Sequence, residues 1–261
     1  MAFGDYATLL SSFTGADESP ISEGGKWSTF SDPLGAYSGA PWYYTGGVMV
    51  RESNHLGVYH YPGDGWPPGT YHAQAYNGKI YYNATNFGPD CEAYFTYSHP
   101  TSYNEIRLWL RFNITNSTTW EGYVLILSNI SADNRISCTT GFAGSVGWVT
   151  APQTTYVAGS LAVNDRIGLR IECKTLTTHL CRAGGSWTQI QSSIDTTIRN
   201  YATNKKVAVE LSERNNPNPL SWASAWVLGL GIDDIYAGNT PVAYCPGAPD
   251  LYRLISMSAI A

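Results

Sequence analysis

The chain is 261 residues long, with 15 Lys and Arg against 20 Asp and Glu and a formal charge of −5. Charged residues make up only 13%, about half the roughly 25% usual in soluble domains. The polar surface must therefore come from Ser, Thr, Asn and Gly, and the acidic balance argues against a phosphate-backbone partner. No run of 18 apolar residues occurs, so no membrane-spanning helix is expected. The opening MAFGDYATLLSSF lacks the basic and long apolar segments of a secretory signal. The expectation is a chain that acts without Sec export, as a virion protein released by lysis would, or one whose signal has been removed.

In chain order, residues 1–12 read as an arm or an edge strand. FTGADESPISEGGKWSTF (13–30) reads as strand, Pro/Gly turn and strand. Residues 31–76 hold five prolines, many glycines and little sustained alternation, and so read as a long aromatic-rich insertion. Short extended pieces are expected in it near Val48–Arg51 and Gly57–Tyr61. From 78 onward strands recur at 78–82, 91–97, 105–112, 121–128, 133–138 and 146–150, separated by NATNFGPD- and NDRIG-like turns. In 165–190, Ile167, Leu169 and Ile171 alternate with Arg166, Arg170 and Glu172, a half-buried strand. Cys173-Lys174-Thr175 then turns into a Thr-rich strand, and Gly184-Gly185 breaks that before Trp187. Strands at 205–212 and 223–236 complete the set. Helix signals are nearly absent. The fold class is all-β, a two-sheet antiparallel sandwich, with one domain over 1–238 and a tail over 239–261.

Five cysteines leave at least one thiol unpaired within the chain. A Cys173–Cys181 bridge is excluded by the hairpin: Cys181 should lie opposite roughly Ile167, beyond the ~7 Å Cα limit from Cys173. Cys91, Cys138 and Cys245 read as buried free thiols. Ala143-Gly144-Ser145-Val146-Gly147 approaches a nucleophile elbow, but Ala143 replaces the first Gly and no strand-to-helix context exists, so a Gly turn is expected. His60, Asp64 and His72 share one loop without metal-type spacing. Four N-x-Ser/Thr sequons, at Asn83, Asn113, Asn116 and Asn129, read as chance in an Asn- and Thr-rich chain. Trp27, Trp109, Trp120, Trp148, Trp187, Trp222 and Trp226 lie in or beside strand-like runs and read mostly as core.

Four ordered segments resemble a known family: FTGADESPISEGGKW, TNFGPDCEAYFTY, the 165–190 meander and GLGIDDIYAG. They are similar to concanavalin A-like lectin/glucanase jelly rolls, the laminin-G-like branch in particular, which occur in phage virion and bacterial surface proteins. The matching positions are Phe13, Gly25 and Trp27; then Asp90, Glu92 and Thr96; then Asp233, Asp234 and Ile235. The resemblance implies a last strand lying beside the first. It also implies a structural calcium where they meet, with Asp17, Asp233 and Asp234 as ligands and Glu18 nearby; otherwise these are solvated turn carboxylates, and no cofactor is required. Relatives that cleave glycans carry two or three carboxylates on one strand face, two residues apart. Here Glu210 and Glu213 are three apart and Asp233 and Asp234 adjacent, so each pair is expected to split across faces.

The aromatic insertion supplies the candidate contact residues: Trp42, Tyr43, Tyr44, Tyr59, Tyr61, Asp64, Trp66, Tyr71 and His72. Aromatic rings stack on the C–H faces of pyranoses while Asp or His takes the hydroxyls. The same rings would equally serve as the small core of a long loop or as a subunit interface. Leu251, Leu254, Ile255 and Met257 in the tail are expected to anchor one copy on the next. Together these features predict a non-enzymatic virion protein, a phage tail, fibre or capsid-surface component, contacting glycans or neighbouring subunits as a homo-oligomer or part of a larger assembly. The alternatives are a free carbohydrate-binding module at a bacterial surface and a glycan hydrolase or lyase with its carboxylates on separate strands.

Overall fold

A computed structural model of the chain describes residues 2–18, 20–30, 42–46, 48–52, 55–59, 73–99, 104–116, 119–129, 136–145, 147–148, 154–157, 161–195, 197–201, 205–214, 231–242 and 245–246. Among these residues there is no helix. The strands are β1 (Thr8–Ser11), β2 (Trp27–Thr29), β3 (Trp42–Gly46), β4 (Val48–Glu52), β5 (His55–Tyr59), β6 (Ala73–Tyr82), β7 (Cys91–His99), β8 (Asn104–Asn116) and β9 (Thr119–Asn129). They continue with β10 (Ile136–Gly144), β11 (Gly147–Trp148), β12 (Thr154–Val157), β13 (Arg166–Glu172), β14 (Thr175–Cys181), β15 (Thr188–Ile194), β16 (Lys206–Arg214) and β17 (Gly231–Asn239).

Two sheets form. The first runs β15-β14-β13-β7-β17-β5-β4, with β1 also paired to β17; the second runs β11-β10-β9-β8-β16-β6-β2, with β12 on β10 and β3 on β6. First and last strands therefore meet, as expected, with Thr8 opposite Ala237 and Ser11 opposite Ile235. Period-two alternation turns one face of each sheet inward. From the first sheet come Ala93, Phe95, Tyr97, Ile167, Leu169, Ile171, Ile232 and Ile235; from the second, Leu108, Leu110, Tyr123, Leu125, Val207 and Val209. All pack into one buried core.

Three expectations are corrected. Within 31–76 the structure has, besides the two extended pieces expected, β3 and the start of β6. The pieces expected near 48–51 and 57–61 form the β4–β5 hairpin, with Met49 and Leu56 fully buried in the core. β3 was missed, and it pairs with β6 in parallel rather than antiparallel. Cys245 is no free thiol but is bonded to Cys173, 72 residues away. The 165–190 hairpin forms as expected, with its register one residue off: Cys181 faces Arg166 and Ile167 faces Leu180. Cys91, Cys138 and Cys181 are buried free thiols, and burial pushes the Cys91 and Cys138 thiols up to about 12.

Candidate functional site

Asp90, just before β7, and Glu92 and Thr96 on β7 form a framework of buried polar contacts. Asp90 accepts from the Arg111 guanidinium (3.2 Å) and from the Cys173 backbone N–H (2.8 Å). Arg111 has a left-handed backbone (φ 47°). Its side chain, fully buried, donates to the carbonyls of Pro89 and Cys173 and lies over the rings of Tyr123 and Tyr201. A buried charge is tolerated when paired and hydrogen-bonded in this way. The Cys173–Cys245 bridge and the bond from Thr240 N–H to the Asp90 carbonyl fasten the segment after β17 to the same end. Glu92 accepts from Arg170 (Nε, 2.9 Å) and from the Tyr6 N–H (3.1 Å), which ties β7, β13 and the N-terminal segment together.

The outer face of the first sheet carries an aromatic group. Phe3 stacks on His179, with centroids 4.1 Å apart, and meets Trp187 edge-on at 4.7 Å. Tyr94 touches Trp187 edge-on at 4.9 Å and stacks on Tyr236 at 4.6 Å. Two glycines allow this cover. A side chain at Gly168 would strike Tyr94 and the Phe3 ring, and one at Gly238 would strike the Tyr6 carbonyl. Burial, with Arg170 nearby, lowers His179 to about 4; burial and the adjacent Tyr236 raise Tyr94 to about 12.

Beside this group lies a β-bulge. Ile232 faces Tyr97 and Ile235 faces Phe95, so Asp233 and Asp234 together oppose Thr96 alone. Because Ile232 and Ile235 both enter the core, the two carboxylates share the outer face, contrary to the expectation that adjacent residues split. Burial and then the charge of Asp233 raise Asp234, against a hydrogen bond from Thr96. Trp187, Tyr236, Asp233 and Asp234 are all half-buried. Trp187, one of seven tryptophans read mostly as core, thus stands on an outer face.

One region of the outer face of the second sheet is sealed. Trp109, Phe112, Trp120 and Phe30 form a second buried cluster over Ala208 and Val124. Lys79 on β6 lies over Trp120, with its Nζ 5.0 Å from the ring centroid. Next to it, Glu210 on β16 sits opposite Arg107 on β8 and Lys79 on β6, with Arg107 Nη1 at 3.1 Å and Lys79 Nζ at 3.7 Å. Arg107 also pairs with Glu105, which accepts from Ser128 (3.2 Å). No sequence motif announced this cross-strand set; its only trace is a charged residue recurring in three strands otherwise apolar in alternation.

Among the described residues, no three His, Cys, Asp or Glu side chains gather as metal ligands. Asp17 is not brought into one set with Asp233 and Asp234, and Glu18 instead accepts from Ser22 and the Glu23 N–H within its own turn. Trp42, Tyr43, Tyr44 and Tyr59 have their backbones in β3 and β5; their side chains, and Tyr61, Asp64, Trp66, Tyr71, His60 and His72, lie outside the described residues. So do Leu251, Leu254, Ile255 and Met257. Gly144-Ser145 turns between β10 and β11, a Gly turn as expected.

Similar sandwiches are found among solved structures. The lumenal domain of VIP36 in its Ca2+/Man3GlcNAc-bound form matches with a TM-score of 0.54 at 11% identity, covering 93% of each chain. β-Agarase A in complex with oligoagarose matches with a TM-score of 0.53 at 14% identity, covering 92% of each. The fold is that of the concanavalin A-like lectins and glucanases. BuGH16B adds a third example, with a TM-score of 0.52 at 11% identity over 89% of this chain and 92% of its own. No family model matches the sequence, and no curated protein matches it. Identities this low carry the concanavalin A-like architecture and nothing finer, so function rests on the chain's own residues.

Proposed function

We propose that the chain is a non-catalytic, lectin-like module of a virion, a phage tail, fibre or capsid-surface component, that contacts glycans or neighbouring subunits. One observation carries the non-catalytic part. Glu105 and Glu210 share an outer face, as a hydrolytic pair would, but the Arg107 guanidinium lies between them and pairs with both. A glycosidase needs that interval, about 5 to 9.5 Å, for the sugar and water. The glycan part is supported by half-buried aromatic rings beside carboxylates on a sheet face. The placement in a particle draws on the family resemblance and on a surface of low charge. An array of plant, algal and bacterial-surface oligosaccharides should show saturable binding, and the same oligosaccharides should release no reducing ends. Native mass measurement should find a defined oligomer. A strictly monomeric protein that binds no glycan would overturn the proposal.

The hydrolase reading keeps one supporting fact, two carboxylates on one face of a concanavalin A-like sheet. It requires reducing-end release that disappears in Glu210→Gln.

A further inference from the structure

The geometry points to a binding site for a neutral oligosaccharide on the outer face of the first sheet, between Trp187 and Tyr236, with Tyr94, Thr96 and Arg166 beneath and Asp234 beside it. This inference rests on the glycan-contact reading above and gives it a place. The strand register builds the surface. Arg166 faces Thr96 and Gly168 faces Tyr94 across β13 and β7; Tyr94 faces Tyr236 across β7 and β17. Trp187 and Tyr236 both rest on the Tyr94 ring while remaining half-buried, so each keeps part of its surface in water and has a partner that fixes its orientation. Fixed rings cost little ordering on binding and take the C–H face of a pyranose.

The polar groups select the class of sugar. The bulge in β17 aims Asp233 and Asp234 outward together, and bulges commonly serve to re-aim side chains. The local cation, Arg166, is engaged by its neighbours, with its guanidinium 5.3 Å over the Trp187 ring and donating to Cys181 Sγ at 3.1 Å, and its single charge is outnumbered by the two carboxylates. Acceptors therefore predominate. Sugar hydroxyls, which donate, fit this surface, and its acidic balance disfavours sialylated or sulfated chains. The same bulge falls where the neighbour of β17 changes from β5, at Ile232, to β1, at Ser11, so the carboxylates sit at a break in the sheet rather than under a continuous strand.

The test uses the full chain and a panel of neutral manno-, gluco- and galacto-oligosaccharides with sialylated counterparts, on an array and then by calorimetric titration of the best binder. The expected result is saturable binding of neutral members. Asp234→Asn, a near-isosteric change, should weaken it at least tenfold with an unchanged thermal midpoint. Trp187→Ala should abolish it, and Trp187→Phe, which keeps a ring, should retain part. If the parent binds and both Asp234→Asn and Trp187→Ala bind equally well, the site is wrong while the glycan-contact reading stands. A preference for sialylated members overturns the neutral class. If the parent binds no member, the site and the glycan-contact reading fall together.

Discussion

Two outer-face regions, one on each sheet, are made from the same residue types and end in different states. On the second sheet Trp109, Phe112 and Trp120 are 1%, 0% and 4% exposed, and Glu210 beside them is fully buried among Arg107 and Lys79. On the first sheet Trp187, Tyr236, Asp233 and Asp234 stay half-buried. The cause is the cover. Trp120 and Phe30 pack on Trp109 and Phe112 of the second sheet and bury them, while Tyr81, Ile114 and Ile126 beside them stay half-buried. The short N-terminal segment covers Gly168, His179 and Gly238 on the first and leaves the Trp187–Tyr236 region accessible. Counting aromatics would rank the faces alike; what separates stabilising rings from contacting rings is how much of each remains in water.

The sharpest way to break this contrast is Trp120→Ala. Removing a sealed ring should cost about 3–5 kcal/mol, read as a lower urea midpoint at unchanged slope, with glycan binding by the folded fraction intact. A loss below about 1 kcal/mol would mean the second face is not a core at all. The next effect falls at the end shared by both sheets. Cys245→Ser, or reduction of the Cys173–Cys245 bridge, opens a 72-residue separation and should cost about 4 kcal/mol on the chain-entropy model. Equal thermal midpoints with and without dithiothreitol would show that Arg111 and Asp90 hold that end alone.

Much of this architecture is legible in the sequence. Ile167, Leu169 and Ile171, or Val207 and Val209, alternate cleanly because each strand has one dry face. β3 escapes notice because it is short and sits among prolines, where local pattern says loop and only the partner β6 makes it a strand. The Cys173–Cys245 bridge is invisible for a different reason: a separation of 72 residues carries no spacing signal. Two site features did leave traces. Ile232 and Ile235 are both apolar at a separation of three, which breaks period two and marks a bulge. Gly168 within an otherwise bulky strand marks a close approach, here by Phe3. The cross-strand set of Glu210, Arg107 and Lys79 left only a charge recurring in three otherwise apolar strands, and each looks like an ordinary outward charge until the register aligns them.

Acid should act on the covered part of the first face. His179 lies under Phe3, and burial holds it at about 4 against about 6.5 in an unfolded chain. Its folded pKa is depressed, so the unfolded state takes up the proton first. The stability due to neutral His179 is complete above pH 6.5 and is lost as pH falls toward 4, by up to about 3 kcal/mol. His179→Gln should flatten that part of the stability profile. An unchanged slope in the variant would assign the acid sensitivity elsewhere.

The smallest effect is the most discriminating, because it pairs with the largest. Trp187→Ala removes a ring of the same size as Trp120, one that touches Phe3, Tyr94 and Arg166 yet keeps part of its surface in water. Only its covered portion contributes to folding, so the cost should be about 1 kcal/mol, with the urea slope unchanged. Indole fluorescence of the parent should respond to added oligosaccharide, and that response should vanish in Trp187→Ala while persisting in Trp120→Phe. A loss as large as that of Trp120→Ala would make Trp187 a structural ring. The open face would then be a second core, and the difference between the two sheets would be one of degree.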